Sequence, residues 1–299
     1  MIGISGSSGF IGQNLLNSLH EAKCISLREK DWKILANNCD VLVNLVGKAH
    51  DHRGTATEQD YYYINLELTK EVFHVFKESS ATLLIHVSSL AALEEFESSK
   101  PLTEADECHP NSWYGLSKRA AEIWLMKQKF SADKKIIILR PPMVHGSGDK
   151  GNLGLLYKLI SKGIPYPLTS FNNSRSFISM DNFCYFIEQI ILHQDKLDTG
   201  IYHIADDDAV STKDIIEIIK KVSGKRVPTL ALPKLLVKAI AKVGDKVPIP
   251  LNTPRLRKMT SDLLVSNEKI KQGLGIEKLP LTAKEGLEKT IKSFSERSE

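Results

Sequence analysis

The sequence has few cysteines, no long apolar run and no block of charge of one sign. Its four cysteines, Cys24, Cys39, Cys108 and Cys184, are scattered without Cys-x-x-Cys spacing, which argues against a zinc site and against a disulfide framework. No apolar stretch reaches the roughly 18 residues that a membrane-spanning helix needs, and the chain shows no signal peptide. We therefore expect a cytoplasmic protein with reduced thiols and no membrane partner.

Charges of the two signs are nearly balanced, with 40 basic and 36 acidic residues interspersed along 299 positions. This pattern argues against a basic tract of the kind that binds nucleic acid. His50, Asp51 and His52 could suggest a metal site, but no further cluster of ligands accompanies them, so no metal is expected. The length and a hydrophobic content of 42% suit one large domain or two modest ones.

A glycine-rich turn follows the first predicted strand. Residues 1–5 form a short apolar run, and three glycines then recur at Gly-x-x-Gly-x-x-Gly spacing before a helical pattern. A turn of this kind lets the backbone approach a pyrophosphate at the start of a helix, although a plain tight turn could show the same spacing. The residues that we expect to bind a dinucleotide here are Gly6, Gly9, Phe10, Ile11 and Gly12.

Tyr114 and Lys118 stand four residues apart, which on a helix places both side chains on one face. A phenol beside an ammonium group has its ionised form favoured, so the sequence predicts a lowered pKa for Tyr114. Tyr114 could then exchange a proton with an alcohol or ketone, and Lys118 would tune it. Taken alone, such a pair is more often part of an ordinary surface helix. Here Ser89, the second of two serines after the apolar strand 82–87, lies 25 residues before Tyr114.

Together these motifs resemble the extended short-chain dehydrogenase/reductase family, in its nucleotide-sugar epimerase and reductase branch. The resemblance implies an α/β fold with a doubly wound (Rossmann) parallel sheet and a smaller C-terminal substrate-binding domain. It also implies a triad in which Ser89, or alternatively Ser88, hydrogen-bonds the reacting sugar oxygen and Tyr114 moves the proton. In this triad Lys118 would also bind the ribose of the nicotinamide.

The resemblance also suggests where the domains lie. Residues 1–146 would form the Rossmann domain, with 176–206 returning to it, and 147–299 would form mainly the substrate-binding domain. Barely one helical segment precedes the strand at 40–46, so the usual third strand has no room and this half of the sheet should be abbreviated. The apolar segment 230–243 is interrupted by lysines and is predicted to be an amphipathic helix that packs on its own domain.

The end of the second strand is predicted to decide between NAD and NADP. Enzymes that prefer NAD usually place Asp or Glu there to bind the ribose 2′-hydroxyl, whereas an Arg accommodates the 2′-phosphate of NADP. Here the strand is followed by Arg28, and the first acid is Glu29. NADP(H) is therefore favoured, with NAD(H) as the alternative if Glu29 or Asp31 binds the ribose. The resemblance adds Leu45, Gly47 and Pro141 to the cofactor-binding residues.

Later segments resemble the family's contacts to a sugar nucleotide. Lys150 and Asn152 match a loop over the diphosphate, at a helix start that favours anions. Arg175 matches a diphosphate-binding Arg, whose planar fork can grip phosphate, although a surface ion pair is the alternative. Arg255 or Arg257 could complete the clamp. The predicted substrate-binding residues are therefore Ser89, Lys150, Asn152 and Arg175.

These features imply hydride transfer between a nicotinamide cofactor and C4 of a nucleotide-linked sugar. Dehydration is not expected, because Leu90 and Ala91 stand where the dehydratases of this branch carry an Asp-Glu pair. The favoured activity is reduction of a UDP-4-keto-(6-deoxy)-N-acetylhexosamine. The alternatives are a UDP-hexose or UDP-N-acetylhexosamine 4-epimerase and a non-catalytic NADP-sensing protein. The resemblance also implies a possible homodimer through the helices at 61–76 and 114–128, because such dimers are common in the family.

Overall fold

The apolar runs of the sequence form a parallel sheet in the computed structural model, which describes residues 1–49, 55–149, 151–166, 168, 170–228, 232–247 and 252–296. The strands are β1 (Ile2–Ser5), β2 (Ala22–Ile25), β3 (Val41–Asn44), β4 (Leu83–Val87), β5 (Lys135–Arg140), β6 (Met143–His145), β7 (Phe177–Ser179) and β8 (Gly200–His203). Six of them form the main sheet in the order β2-β1-β3-β4-β5-β8, and every neighbouring pair is parallel. The doubly wound parallel sheet predicted from the sequence is thus confirmed.

Helices cover both faces of this sheet because successive side chains along a strand point to opposite faces. The helices are α1 (Phe10–Ser18), α2 (Trp32–Asn37), α3 (Glu58–Tyr62), α4 (Leu68–Glu78), α5 (Trp113–Met126), α6 (Asn152–Ser161), α7 (Met180–Leu192), α8 (Thr212–Ser223), α9 (Lys234–Gly244), α10 (Thr253–Thr260), α11 (Glu268–Leu274) and α12 (Ala283–Glu296). Leu84 and Ile136 pack in a cluster with α2, α4 and α5. Their neighbours Ile85 and Ile137 pack in another cluster with α1, α7 and α11.

The order of strands also shows the abbreviated half that the sequence predicts. Strand β2 is the edge strand among the described residues, and α2 leads directly to β3 on the other side of β1. The carboxyl ends of β1 and β3 therefore lie side by side where the strand order reverses. In open parallel sheets this reversal is where ligands bind.

A separate hydrophobic cluster lies in the second half of the chain, formed mainly by α6, α8, α9 and α12. The pair β6 and β7 forms a second, two-stranded parallel sheet. Within the part of the chain that the structure describes, no helix combines the length and the apolar character that a membrane crossing requires. The domain boundaries inferred from the sequence stay a prediction.

A buried ion pair joins α5 to the neighbouring strand β5. Arg140 Nε donates to Glu122 Oε1 at 2.8 Å, and its Nη2 donates to Oε2 at 2.6 Å. Ser88 Oγ donates to the same carboxylate at 2.6 Å. Arg140 is 1% exposed and the Glu122 side chain is 0% exposed, so the Arg140 charge depends on Glu122 for compensation. Glu122 also accepts from Arg119 Nη1 at 3.1 Å.

We expect Glu122→Ala to destabilise the fold by about 3–5 kcal/mol, because it leaves the Arg140 charge buried without a partner. Urea unfolding should show this loss. The control Glu217→Ala removes a more exposed pair with Lys220 and should cost about 1 kcal/mol or less. The double variant Glu122→Leu with Arg140→Met should be more stable than Glu122→Ala. A Glu122→Ala variant no less stable than the control would contradict the assignment.

Candidate active site

The glycine turn lies between β1 and α1, at the carboxyl edge of the sheet. Gly6 has a φ of 77°, and a side chain there would come within 2.8 Å of the backbone of Leu45 and Val46. At Gly12 a side chain would come within 2.5 Å of the Ser7 Cα atom. Only glycine fits such a turn. The turn ends at Gly9, the N-cap of α1, so Phe10 and Ile11 open the helix as predicted. The cradle therefore suits the diphosphate of a dinucleotide.

Other residues predicted to contact the cofactor lie at the same edge. Leu45 directly follows β3. Gly47 lies beside the ammonium group of Lys118. Pro141 directly follows β5, and its carbonyl accepts a hydrogen bond from the Leu90 N–H at 2.8 Å. The structure thus brings these three residues to the carboxyl ends of β3 and β5, the two strands that flank β4.

Arg28 lies exposed in the turn after β2. The Glu29 N–H donates to the Ser26 carbonyl at 3.0 Å, which forms the turn. Ser26, the first residue after the strand, has no carboxylate. Arg28 and Lys30 are both exposed in this turn, and the role of Arg28 toward a 2′-phosphate stays a prediction.

Ser89, Tyr114 and Lys118 come together at the carboxyl end of β4. Ser89 opens a 3₁₀ turn (Leu90–Ala92), where its hydroxyl accepts the Ala91 N–H at 3.2 Å, and its side chain lies close enough to the Tyr114 phenol to lower the pKa of that group. Tyr114 and Lys118 lie on successive turns of α5. Lys118 Nζ donates to the Val87 carbonyl at 2.9 Å. The three residues that the sequence analysis proposes as a triad are therefore neighbours in the fold.

The alternative serine points elsewhere. Ser88 is buried, and its hydroxyl donates to Glu122, in the ion pair with Arg140. Since its donor is used there, Ser88 serves packing between α5 and β5. Of the two serines, Ser89 is the one whose side chain interacts with Tyr114.

The pKa shifts at this site differ from the sequence prediction. Burial raises the pKa of the Tyr114 phenol above its usual value, the hydrogen bond with Ser89 opposes this, and the Glu95 carboxylate adds to it. Burial also lowers the pKa of Lys118 to about 8, while Glu122 acts in the opposite direction. The predicted lowering of the Tyr114 pKa is therefore wrong for this structure. Desolvation outweighs attraction to an ammonium group that is itself buried.

A buried polar network, which the sequence analysis did not identify, lies below the site. Asn44 Oδ1 accepts from Ser5 Oγ at 2.8 Å, and Asn44 Nδ2 lies 3.2 Å from His86 Nδ1. Burial lowers the pKa of His86 well below its usual value, and the nearby Lys118 ammonium lowers it further. His86 is therefore neutral at physiological pH. The network ties together the ends of β1, β3 and β4 without adding a second positive charge.

Asn65 occupies a π-helical turn (Tyr63–Glu67) between α3 and α4. It is fully buried, and its amide donates to Ser117 Oγ at 2.8 Å. Its carbonyl oxygen accepts the Lys48 N–H at 2.8 Å. Single π-helical turns are frequent at functional sites. This turn ties α5 to the loop after β3.

Glu95 is a site residue that the sequence analysis missed. Its Oε1 atom accepts the backbone N–H groups of Asn111 at 3.1 Å and Ser112 at 2.7 Å, at the start of α5. Its other oxygen lies 3.4 Å from Lys258 Nζ. Glu95 thus links the helix that carries Tyr114 to α10. Glu95 lies in a loop and belongs to none of the motifs that the sequence analysis recognised.

Basic side chains from the second half of the chain gather around the segment after Glu95. Arg175 Nη1 donates to the carbonyls of Phe96 at 3.2 Å and Ser261 at 3.1 Å. The Arg257 guanidinium lies 5.0 Å from the Phe96 ring centre and pairs with Glu97 at 2.7 Å. Two of the arginines considered for a diphosphate clamp are therefore neighbours, close to the start of α5.

Some predicted residues fall outside this description. Lys150 and the segment of His50, Asp51 and His52 lie outside the described residues. Asn152 begins α6. Elsewhere, over the positions that the structure does describe, no group of three or more His, Cys, Asp or Glu side chains could hold a metal ion.

A model of the NAD dependent epimerase/dehydratase family matches residues 2–205. The chain belongs to this family. It is therefore an NAD(P)-dependent enzyme of the short-chain dehydrogenase/reductase type, as the motifs indicated. Among curated relatives of this family member, a UDP-glucose 4-epimerase from Vibrio cholerae is 27% identical over 97% of this chain and 94% of its own.

Solved structures share the fold of this family member. A Bacillus cereus UDP-glucuronic acid 4-epimerase, in complex with UDP-glucuronic acid and NAD, has a TM-score of 0.78 at 18% identity and covers 99% of each chain. The Pseudomonas aeruginosa protein RMD, complexed with NADPH, has a TM-score of 0.73 at 16% identity, also over 99% of each chain. Proteins of this fold thus hold either dinucleotide.

Gly115→Ala tests the close approach of α5 to the loop that carries Ser89. An added Cβ atom would lie 2.4 Å from the Ala91 carbonyl oxygen and 2.6 Å from Glu95 Oε1. We therefore expect Gly115→Ala to lower the thermal midpoint in calorimetry, against the usual gain of about 1 kcal/mol for such a change within a helix. The control is Gly154→Ala in α6, where the nearest atom lies at 3.8 Å. Equal midpoints for the two variants would refute the close contact.

Proposed function

We propose that this chain is an NADPH-dependent reductase of a UDP-linked 4-keto sugar, of the 4-keto-6-deoxy-N-acetylhexosamine class. The observation that carries the proposal is the grouping of Ser89 and Tyr114 at the carboxyl end of β4, beside the buried Lys118. This group lies at the carboxyl edge of the sheet, next to the glycine turn. Ligands bind at that edge in parallel sheets.

Each member of the group has a distinct role in the proposal. The dinucleotide, held at the glycine turn, supplies the hydride. Ser89 hydrogen-bonds the carbonyl oxygen of the sugar and positions it, and Tyr114 donates its phenolic proton to that oxygen. A raised pKa keeps Tyr114 protonated at neutral pH, which is the form that a proton donor needs. Lys118 holds the ribose hydroxyls of the dinucleotide.

The substrate side would be formed by the second half of the chain, packed around α6, α8, α9 and α12. Arg175 and Arg257 lie beside Phe96 and close to the start of α5, where they could neutralise the diphosphate of the sugar nucleotide. Lys150 and Asn152 belong to the same proposal from their place in the sequence. Arg257 would have to exchange its partner Glu97 for phosphate oxygens.

A UDP-sugar 4-epimerase is the second candidate, supported by the relative from Vibrio cholerae, which matches nearly the whole chain. An epimerase needs a retained dinucleotide and needs Tyr114 to accept a proton as well as to donate it. Arg28 and the lack of an acid at Ser26 instead favour NADPH, which a reductase consumes and exchanges. Both activities would use this one site. They differ in that an epimerase retains its dinucleotide, whereas a reductase consumes NADPH and exchanges it.

We also propose a homodimer. Helix α5 leaves Trp113, Leu116 and Ile123 exposed, by 47%, 36% and 40% respectively. These residues follow the i, i+3, i+10 spacing of one helix face. The neighbouring Tyr63 is 58% exposed. Pairing two copies of this face would bury the apolar area and would leave the site edge of the sheet accessible.

Tyr114→Phe should abolish most of the turnover, by a factor of about 100 or more, because it removes the proton donor. Binding of NADPH, measured by fluorescence titration, should be retained. The matched control Tyr185→Phe alters a tyrosine on α7 and should leave the rate unchanged. A Tyr114→Phe variant with the rate of the wild type would remove Tyr114 from the mechanism. Dinucleotide binding without turnover of any keto or hydroxy sugar by the wild type would favour the sensing protein.

Arg28→Ala should raise the dissociation constant for NADPH about tenfold or more while leaving that for NADH unchanged, because a charged contact to the 2′-phosphate is lost. Lys30→Ala, in the same turn, is the control. The nucleotide released by freshly purified protein on denaturation should be identified by mass. Stoichiometric NAD, together with equal affinities of the Arg28→Ala variant and the wild type, would overturn the reductase and favour the epimerase.

A further inference from the structure

Helix α9 leaves most of its apolar side chains exposed. It packs on the rest of the protein through Val237 and Ala241, each 1% exposed. Leu235, by contrast, is 82% exposed and Val243 is 54% exposed. The other exposed apolar residues of this segment are Leu236, Ile240 and Val247. The prediction that this segment is a helix packing on its own domain is therefore confirmed through Val237 and Ala241, and the remaining apolar side chains lie outside that contact.

The exposed side chains form a continuous surface, which we call the outer face: Leu235, Leu236, Ile240, Val243 and Val247. At 100° per residue, Leu236, Ile240 and Val243 follow the i, i+4, i+7 spacing of one stripe. The buried pair Val237 and Ala241 lies on a second stripe next to it. More of the apolar side chains of α9 are therefore exposed than are packed against the rest of the protein.

Charge along α9 has one dominant sign. Lys238 and Lys242 are exposed and lie four residues apart, on the side of the helix between Leu235 and the buried stripe. Lys246, just after the end of α9, is also exposed. The nearby acid, Asp245, accepts hydrogen bonds from the Thr253 N–H at 2.8 Å and the Thr253 hydroxyl at 2.6 Å. Its charge is therefore directed at the start of α10. Helix α9 itself contains no acidic residue that could pair with the lysines beside the outer face.

We propose that the outer face of α9 docks on an anionic phospholipid surface. A helix with an apolar face and flanking lysines lies in the membrane interface, with its apolar side chains inserted and its ammonium groups among the headgroups. At about 1.5 Å per residue, α9 is too short to cross a bilayer, so the contact is with the surface alone. The sequence analysis expected no membrane partner because no segment is long enough to span a bilayer. That argument does not apply to binding at the membrane surface.

Charge argues against a second copy of the chain as the occupant. In a two-fold symmetric pair, the same surface faces itself. In the antiparallel arrangement of two facing helices, the lysine row of one α9 would lie along the same edge as the lysine row of the other, where like charges repel. An anionic lipid surface complements the lysines and the apolar residues at the same time.

Docking through α9 would also orient the candidate active site. Helix α9 packs on α10, and Arg257 and Lys258 of α10 both lie 5.0 Å from the Phe96 ring centre. That segment adjoins the start of α5. A protein held by α9 would therefore present its basic substrate side near the membrane surface. This inference is independent of the reaction that the site performs.

The full chain should be tested by flotation with two kinds of vesicle, one of phosphatidylcholine alone and one that also contains phosphatidylglycerol. We expect binding to the anionic vesicles only, weakened by salt. The variant Leu235→Ser with Val243→Ser should lower the partition coefficient at least about tenfold. The variant Lys238→Gln with Lys242→Gln should lower it about tenfold. Both pairs are exposed, so circular dichroism should show an unchanged fold.

The control is Leu192→Ser, which removes a leucine 69% exposed at the end of α7 and should bind vesicles like the wild type. Failure of the wild type to float, or floating that the α9 substitutions leave unchanged, would overturn the proposal. A dimer that the Leu235→Ser, Val243→Ser variant converts to monomer in light scattering would overturn it in favour of a second copy. Because no substrate is present, failure here is distinct from failure of the proposed reaction.

Discussion

The contact between α5 and the ends of β4 and β5 is the constraint on which the site depends. Three residues of α5 make it, and they follow the i, i+3, i+7 spacing of one helix stripe. Gly115 lets the backbone approach Ala91, Lys118 donates to the Val87 carbonyl, and Glu122 closes on Arg140. Together they fix how far α5 is rotated about its axis. The position of Tyr114 beside Ser89 follows from that rotation.

This packing places ionisable groups where water is scarce, and burial sets their protonation more strongly than their mutual attraction does. It keeps the proton on Tyr114, makes the ammonium of Lys118 easier to deprotonate and leaves His86 neutral. Shifts of this kind are typical of functional sites, although structural networks also cause them. In its protonated form the Tyr114 phenol can donate a proton, and a neutral His86 adds no further positive charge beside Lys118.

The sequence was sufficient for the parallel sheet, the glycine turn and the pairing of Tyr114 with Lys118, because each depends on short-range spacing or on apolar runs, and the family resemblance added Ser89 to that pair. It was insufficient wherever the partner of a side chain comes from far along the chain. The choice of Ser89 over Ser88 rests on where Glu122 lies, and the role of Glu95 rests on the backbone at Ser112. The sign of the Tyr114 pKa shift depends on burial, which spacing within one helix does not determine.

Helix α9 is a second case in which the sequence alone was insufficient. Its periodicity identified an amphipathic helix, but an apolar stripe looks alike in sequence whether it covers a core or faces outward. Only the fold shows that Val237 and Ala241 complete the contact and that Leu235 and Val243 remain outside it. An exposed stripe of this width lowers solubility unless something covers it. The lysines along its edge then restrict the covering surface to one that is apolar and negatively charged, which is the combination that an anionic lipid interface offers.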